Sequence, residues 1–248
     1  MADVDQLADL LNGVCLVKTD KEEQVEVVEQ VVEQVVEQIE VLEKDIKECK
    51  PNTTIMSQLK AIIDDNKYVS DCESNKTKEI NSLSYLIDKN LSQSDCIKLG
   101  TGLEKVLKDI ISKNNADFTD IKPKNVKGKK EKDHLFLDKK SKTIFYAEIK
   151  SNLNLDTEKS KSTSKKCLQI ETELQLEYPD YTIKMFLVGA RYYDKQFIPK
   201  IIKNKYSKIN CNVVGINDYL SALNTNVSFA NEDLYKEFLN YLANSMFD

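Results

Sequence analysis

Histidine, glycine and tryptophan are scarce in this 248-residue sequence, which has one histidine, six glycines and no tryptophan. A zinc hydrolase bound through histidines, an HNH nuclease or a Ser-His-Asp triad would each depend on His134 alone. Neither Gly-x-x-x-x-Gly-Lys-Ser/Thr nor Gly-x-Gly-x-x-Gly occurs, which argues against nucleotide hydrolysis and a dinucleotide cofactor. Because alternation along a strand places His134 opposite Asp133, we expect this imidazole to be structural.

Long apolar runs and paired cysteine motifs are also missing. No stretch of eighteen apolar residues occurs, and residues 1–5 are acidic where a targeting segment would be basic. The cysteines at 15, 49, 72, 96, 167 and 211 show no CxxC spacing, so we expect reduced thiols and not disulfides or zinc ligands. These absences predict a soluble, cytoplasmic protein with no membrane partner.

The first 92 residues have the pattern of an acidic, all-helical region. From Val25 to Ile46 the apolar residues alternate spacings of three and four, which predicts a long Val/Glu/Gln helix over about 22–49. Further apolar groups between Thr54 and Leu91 predict more helices. Residues 1–90 hold ten lysines and twenty acids, a net charge of −10, which leaves +5 for the remainder. We expect region 1–92 to serve dimerisation or scaffolding, as an independent domain or folded onto the core.

Residues 93–248 alternate helical and strand patterns. The predicted elements are, in order, a helix at 94–112, strands at 132–138 and 143–150, a helix from 156 or 157 to 177, a strand at 181–189, a helix at 197–206, a strand at 212–216, and helices near 219–223 and 232–246. Hairpins give antiparallel neighbours and helical crossovers give parallel ones. We therefore predict an α/β fold with a mixed β-sheet flanked by helices.

The two strands of the predicted hairpin carry the most informative residues. Asp133 lies at the start of the first strand, and Glu148 and Lys150 lie near the end of the second. Side chains alternate across a strand, so Glu148 and Lys150 share a face. Two carboxylates and a lysine at one sheet edge can bind a divalent metal and poise a water against a phosphodiester. Asp138 is a rival for the first acid, although it begins the turn.

On these residues the sequence resembles the PD-(D/E)xK nucleases, and among them the type II restriction endonucleases. Lys132 stands where the family name has proline. The resemblance implies a restriction-endonuclease-like core at 93–248, with Asp133 and Glu148 as metal ligands and Lys150 orienting or activating the attacking water. Glu104, on the helix before the strands, is a candidate third ligand or a surface partner of Lys108. The cofactor implied is one or two Mg²⁺ ions per site, for which Mn²⁺ can substitute.

The charge around these acids favours a polyanionic substrate, and the resemblance implies that this substrate is double-stranded DNA. Residues 98–166 contain eighteen lysines and ten acids, and such basic surroundings attract a polyanion. Arg191 is the strongest candidate for a base contact, although an ion pair at the strand end is an equal alternative. The full set of candidate DNA-binding residues is Lys130, Lys132, Asn152, Asn154, Thr157, Lys161 and Arg191.

The resemblance implies Mg²⁺-dependent, sequence-specific cleavage of both DNA strands to 5′-phosphate and 3′-hydroxyl ends. A palindromic target would require a homodimer, and a cognate DNA methyltransferase would complete a restriction-modification system. Two alternatives remain open at this point. One is a nuclease of the same fold that recognises branched or damaged DNA, such as a junction resolvase or repair endonuclease. The other is a non-catalytic helical interaction protein.

Overall fold

The computed structural model describes residues 51–66, 68, 83–123 and 131–247. The predicted helix over about 22–49 lies outside these residues, as do Lys130 and parts of the helices expected between 54 and 91. All the described elements belong to one compact unit that begins at Pro51. In this part of the chain, none of the helices has the length and apolar character needed to span a membrane.

The elements follow one another as six α-helices, five strands and two short 3₁₀ turns in the described part of the chain. In order they are α1 (Pro51–Asn66), a 3₁₀ turn (Leu83–Leu86), α2 (Gln93–Asn114), β1 (Phe118–Asp120), β2 (His134–Asp138), β3 (Thr143–Lys150), α3 (Thr157–Glu177), β4 (Thr182–Gly189), a 3₁₀ turn (Lys195–Phe197), α4 (Lys200–Lys205), β5 (Asn212–Val214), α5 (Ile216–Ala222) and α6 (Glu232–Phe247).

The strands form one mixed sheet in the order β1-β2-β3-β4-β5. β1 and β2 pair antiparallel, and the β2–β3 hairpin is antiparallel with Asp138 opposite Thr143. β3 runs parallel to β4 because α3 carries the chain back across the sheet, and β4 runs parallel to β5. The prediction of a mixed sheet flanked by helices is therefore confirmed.

Each face of the sheet packs against a different layer of helices. Phe145, Ala147 and Ile149 contribute to a large core with α1, α2, α5 and α6. Ile144 and Tyr146, alternating with them on β3, belong to a second core with α3 and α4. Because the side-chain period of a strand is two, Glu148 continues the face of Ile144 and Tyr146. The strand pattern thus directs Glu148 toward α3.

The helices that precede the sheet share its larger core. Lys60 on α1 forms an ion pair with Glu237 on α6, and Tyr241 on α6 donates a hydrogen bond to Asp64. α2 runs without a break through Gly102, where an added Cβ would collide with the Met246 side chain of α6. Residues 51–66 therefore pack with the later helices, while the division between regions 1–92 and 93–248 stays a prediction.

The differences from the predicted elements are small but have clear physical causes. β1 was not predicted, because its three residues are half-buried or exposed and carry no apolar alternation. The helix expected at 197–206 is a 3₁₀ turn followed by α4, and Pro199 separates them as the residue before α4. The helix predicted near 219–223 begins three residues earlier, at Ile216, and the helix predicted near 232–246 begins at Glu232 as expected.

Candidate active site

β3 ends with two charged residues that point toward α3. Glu148 is 1% exposed and follows a run of buried apolar residues on the strand. A carboxylate in such a position must have charged or hydrogen-bonding partners, because burial without them costs several kcal/mol. The structure places Tyr146 and Lys150 two residues away on the same strand face.

Three side chains satisfy the Glu148 carboxylate. Lys150 Nζ lies 2.6 Å from Glu148 Oε1, and Lys166 Nζ of α3 lies 2.5 Å from Oε2. The Tyr146 hydroxyl donates a hydrogen bond of 2.7 Å to the same Oε2. Burial raises the pKa of Glu148, but the two ammonium groups and their hydrogen bonds outweigh it and hold the pKa below its ordinary value. Glu148 is therefore a stable carboxylate at neutral pH.

Asp133 lies beside Glu148, as the hairpin motif predicts. Its Oδ2 accepts a hydrogen bond of 2.7 Å from the backbone N–H of Ile149, which ties the start of β2 to the end of β3. Its Oδ1 lies 3.9 Å from Lys166 Nζ. Burial and the negative charge of Glu148 raise the pKa of Asp133, against the opposite effect of Lys150 and Lys166. The structure thus brings Asp133, Glu148 and Lys150 together.

Glu104 approaches this group from α2. Burial, followed by the charge of Asp133, raises the pKa of Glu104 to about 7, with a smaller contribution from Glu148. Glu104 also lines a cavity of about 210 Å³ between α2 and the ends of β3 and β4, together with Lys150 and Ser151. Within the described ranges, no three acidic, histidine or cysteine side chains form a ready-made metal centre. Glu104 is therefore close enough to Asp133 and Glu148 for their charges to raise its pKa, but the three side chains are not arranged as a metal centre.

His134 has the structural role that its place on the opposite strand face predicts. Its Nε2 lies 2.8 Å from the Glu104 carbonyl oxygen, and its Nδ1 lies 2.8 Å from the Tyr219 hydroxyl. A carbonyl only accepts, so Nε2 carries the proton and Nδ1 accepts from Tyr219. Burial lowers the pKa of His134 to about 4, which keeps the ring neutral. The imidazole connects α2, β2 and α5 behind the acids.

Asp138 lies at the opposite end of β2 from the candidate site. Its Oδ1 accepts hydrogen bonds from the backbone N–H groups of Lys140 and Ser141, at 2.9 and 3.2 Å. Its Oδ2 accepts one of 2.5 Å from the Ser141 hydroxyl. Lys142 in the same turn has a left-handed conformation with φ of 49°. Asp138 therefore caps the hairpin turn, and the geometry favours Asp133 as the first acid.

The predicted DNA-binding residues fall on two sides of the site. Asn152, Asn154, Thr157 and Lys161 lie on the segment after β3 and the first turns of α3, where Asn154 Oδ1 accepts a hydrogen bond of 2.9 Å from Lys205. Lys132 instead lies 3.7 Å from Glu173 of α3 and is mostly buried. The Arg191 guanidinium lies 5.0 Å from the centre of the Tyr85 ring. Lys130 lies outside the described residues.

A basic groove adjoins the small cavity at Glu104. It encloses about 500 Å³ and is lined by Lys98, Lys105 and Lys108 of α2. Ile97 and Thr101 line both the groove and the cavity, so the two lie next to each other on α2. Within the groove Lys108 also pairs with Asp120, and Asp109 accepts a hydrogen bond from Tyr68. The α2 surface thus leads toward the acids.

Sequence reasoning missed two side chains in direct contact with Glu148, Tyr146 and Lys166, and Lys166 is the one that lies on a helix. It follows Glu148 by eighteen residues on a different element, so strand alternation gives no information about it. Its signal was the helical spacing of Thr163, Lys166 and Ile170, which places a lysine on the buried face of α3. A lysine among inward-facing residues implies a buried carboxylate partner.

Neither a protein-family model, nor a curated protein, nor a solved structure matches this sequence. The functional interpretation therefore depends on the geometry of the site itself.

Proposed function

We propose that this protein is a Mg²⁺-dependent DNA endonuclease with a restriction-endonuclease-like core. The observation that carries the proposal is the arrangement of Asp133, Glu148 and Lys150 at one end of the β2–β3 hairpin. Glu148 is ionised although it is almost fully buried, and an ion at such a position carries a desolvation cost even when lysines pair with it. Buried, perturbed carboxylates beside a cavity are typical of catalytic sites.

The donor set fits a hard divalent cation. Asp133, Glu148 and Glu104 offer only carboxylate oxygens, the ligands that Mg²⁺ and Mn²⁺ prefer. Burial and, after it, the charge of a neighbouring acid raise the pKa of both Asp133 and Glu104, and a cation between them would stabilise their charged forms. Asp133 and Glu148 would hold the ion, with Glu104 reaching it from α2. When bound, Mg²⁺ supplies Lewis-acid polarisation of the phosphate and a more acidic water.

Lys150 would act on the reacting groups as a cation. Burial lowers its pKa, but the charges of Glu148 and Asp133 more than compensate and leave it raised. A lysine held as ammonium is a poor proton acceptor, so its role is to donate hydrogen bonds. The side chain is 32% exposed at the cavity, where Nζ can orient the attacking water and stabilise charge on the phosphate.

The surroundings of the site fit a DNA strand as substrate. The groove along α2 presents Lys98, Lys105 and Lys108 beside the cavity at Glu104, and such a basic track attracts phosphate. Asn152, Thr157 and Lys161 on the other side would contact backbone or bases. We further propose that cleavage is sequence-specific on double-stranded DNA and leaves 5′-phosphate and 3′-hydroxyl ends. Two copies of the chain would cut the two strands of a palindromic target.

The proposal is tested by incubating the protein with unmethylated phage DNA and Mg²⁺ and separating the products on a gel. Discrete Mg²⁺-dependent fragments support a sequence-specific endonuclease, and end-sequencing gives the target. A smear would retain the nuclease and remove sequence specificity. Intact DNA, together with intact branched and mismatched duplexes, would overturn the proposal. Omitting Mg²⁺ and adding EDTA are the controls for a contaminating metal.

A further inference from the structure

Lys166 holds a position between the two acids that no other described lysine shares. Its Nζ lies 2.5 Å from Glu148 Oε2 and 3.9 Å from Asp133 Oδ1, so one ammonium group lies between both carboxylates. Lys150 forms an ion pair with the other Glu148 oxygen, Oε1. Lys132, although it precedes Asp133, is directed to Glu173.

The helix holds Lys166 in this place. Thr163, Cys167 and Ile170 of α3 are buried against the sheet, and Lys166 lies between them with 18% of its side chain exposed. A long aliphatic stem can pass over apolar surface while its charged end reaches a polar partner. Here the partner is the Glu148 carboxylate on the strand below. Lys166 is therefore the internal counter-ion of the Asp133–Glu148 pair.

A divalent cation held by Asp133 and Glu148 would compete with Lys166 for Oδ1 and Oε2, because Asp133 Oδ2 already accepts from the Ile149 N–H and Glu148 Oε1 pairs with Lys150. A metal ion and the Lys166 ammonium would repel each other strongly if both contacted one carboxylate oxygen. Water screens this repulsion little, because Lys166 and Glu148 are largely buried. We propose that a divalent cation binds by displacing the Lys166 ammonium from Asp133 and Glu148, so that Lys166 sets the metal affinity of the site. This inference rests on the proposed function, since it concerns the same acids.

The expected direction follows from competition. A ligand that requires a displaced side chain binds with an affinity reduced by the fraction of molecules in which the displacement has occurred. Removing the ammonium group removes that requirement and leaves the two carboxylates without a bridging cation. Lys166→Met, which preserves length, should therefore bind Ca²⁺ at least about tenfold more tightly than the wild type. Lys165→Met is the matched control, because it removes the same charge from the neighbouring exposed position.

The first measurement is isothermal titration of each protein with Ca²⁺ in the absence of DNA. Tighter binding by Lys166→Met, with Lys165→Met equal to the wild type, supports the proposal. Equal binding by all three proteins, lost in Asp133→Asn, would overturn the role of Lys166 and leave the metal site standing. If none of the proteins binds Ca²⁺, Mg²⁺ or Mn²⁺, both the inference and the proposed function fail.

A second measurement uses the unmodified protein and does not depend on the folding of a variant. Acetylation of each lysine by an amine-reactive ester is followed by mass spectrometry with and without Ca²⁺. We expect Ca²⁺ to increase the rate at Lys166 several-fold, because its ammonium is released, and to leave Lys165 unchanged. If titration shows that the protein binds Ca²⁺ and the acetylation rate of Lys166 is the same with and without Ca²⁺, the displacement of Lys166 by the metal is contradicted.

Discussion

Lys150 and Glu148 form an ion pair of 2.6 Å between residues that lie two positions apart on one strand. The contact is possible because both side chains leave the same face of β3, which the strand period dictates. It keeps Lys150 charged, and Lys150 also lines the cavity beside Glu104. The same ion pair therefore keeps both Glu148 and Lys150 of the proposed site in their charged forms.

Lys150→Met should bind DNA and not cut it. Methionine preserves the length of the side chain and removes the ammonium donor, and the loss of one such group typically lowers the rate by about 100-fold or more. The rate is measured on plasmid DNA with Mg²⁺, and binding by fluorescence anisotropy with Ca²⁺. Lys140→Met, in the exposed hairpin turn, is the matched control. Full cutting activity in Lys150→Met would refute the role of Lys150.

Replacing Asp133 or Asp138 by asparagine tests which of the two is the first acid of the site. Asp133→Asn should lose metal binding and cleavage, since the amide is a poor ligand for Mg²⁺. Asp138→Asn should keep cleavage and unfold at a lower urea concentration, because the turn loses charge-assisted hydrogen bonds from Lys140 and Ser141. Activity assays and urea titrations of both variants decide the question. The reverse pattern would make Asp138 the catalytic acid.

Tyr146 contributes to the stability of the site through its hydroxyl. Tyr146→Phe removes the hydrogen bond to Glu148 Oε2 and leaves a buried carboxylate with one donor fewer. The free energy of unfolding should fall by about 1.5–3 kcal/mol, the usual contribution of a hydrogen bond to a charged group. Urea unfolding followed by circular dichroism measures the change. Tyr181→Phe, at a half-buried position, is the control, and a loss of equal size there would show that the effect is not specific.

His134 should make the protein sensitive to mild acid. Its pKa is about 4 in the folded protein and near 6.5 in an unfolded chain, so the unfolded state takes up the proton first. Its contribution is fully present above pH 6.5 and is lost as the pH falls toward 4, by an amount on the order of 3 kcal/mol. In His134→Gln this part of the pH dependence should disappear.

The measurement for His134 is the free energy of unfolding against pH in the two proteins. The nearby Asp120, Lys108 and Lys122 are common to both, so the difference in slope isolates the imidazole. Glutamine retains an N–H donor for the Glu104 carbonyl, which limits the structural change. Identical slopes between pH 6.5 and 4 would show that His134 titrates normally in the folded state.

Periodicity in the sequence predicts the central elements of this fold well. The strand 143–150 and the helix ending at Glu177 are present with the predicted bounds, because apolar alternation and an Asp156 cap define them. β1 could not be predicted, since a three-residue edge strand is fixed by pairing with β2 and not by its own pattern. Short strands of this kind depend on tertiary contacts.

Local sequence patterns likewise predict some residues of the candidate site, while tertiary packing determines the others. Glu148 and Lys150 could be placed on one face from the strand period alone, and Asp133 from the hairpin. Lys166 could not be assigned, because the register between α3 and the sheet determines which helical residue reaches Glu148. The raised pKa of Glu104 likewise depends on burial and on how α2 packs beside β2, which no local pattern contains.

The most direct test of the central claim is the Mg²⁺-dependent cleavage rate of supercoiled plasmid by the wild type and by Glu148→Gln. Glu177→Gln, an exposed acid at the end of α3, is the control for the same chemical change. We predict cleavage by the wild type and the control, and a rate lower by about 100-fold or more for Glu148→Gln, with its circular dichroism spectrum unchanged. Equal rates for all three proteins would contradict the assignment of this site.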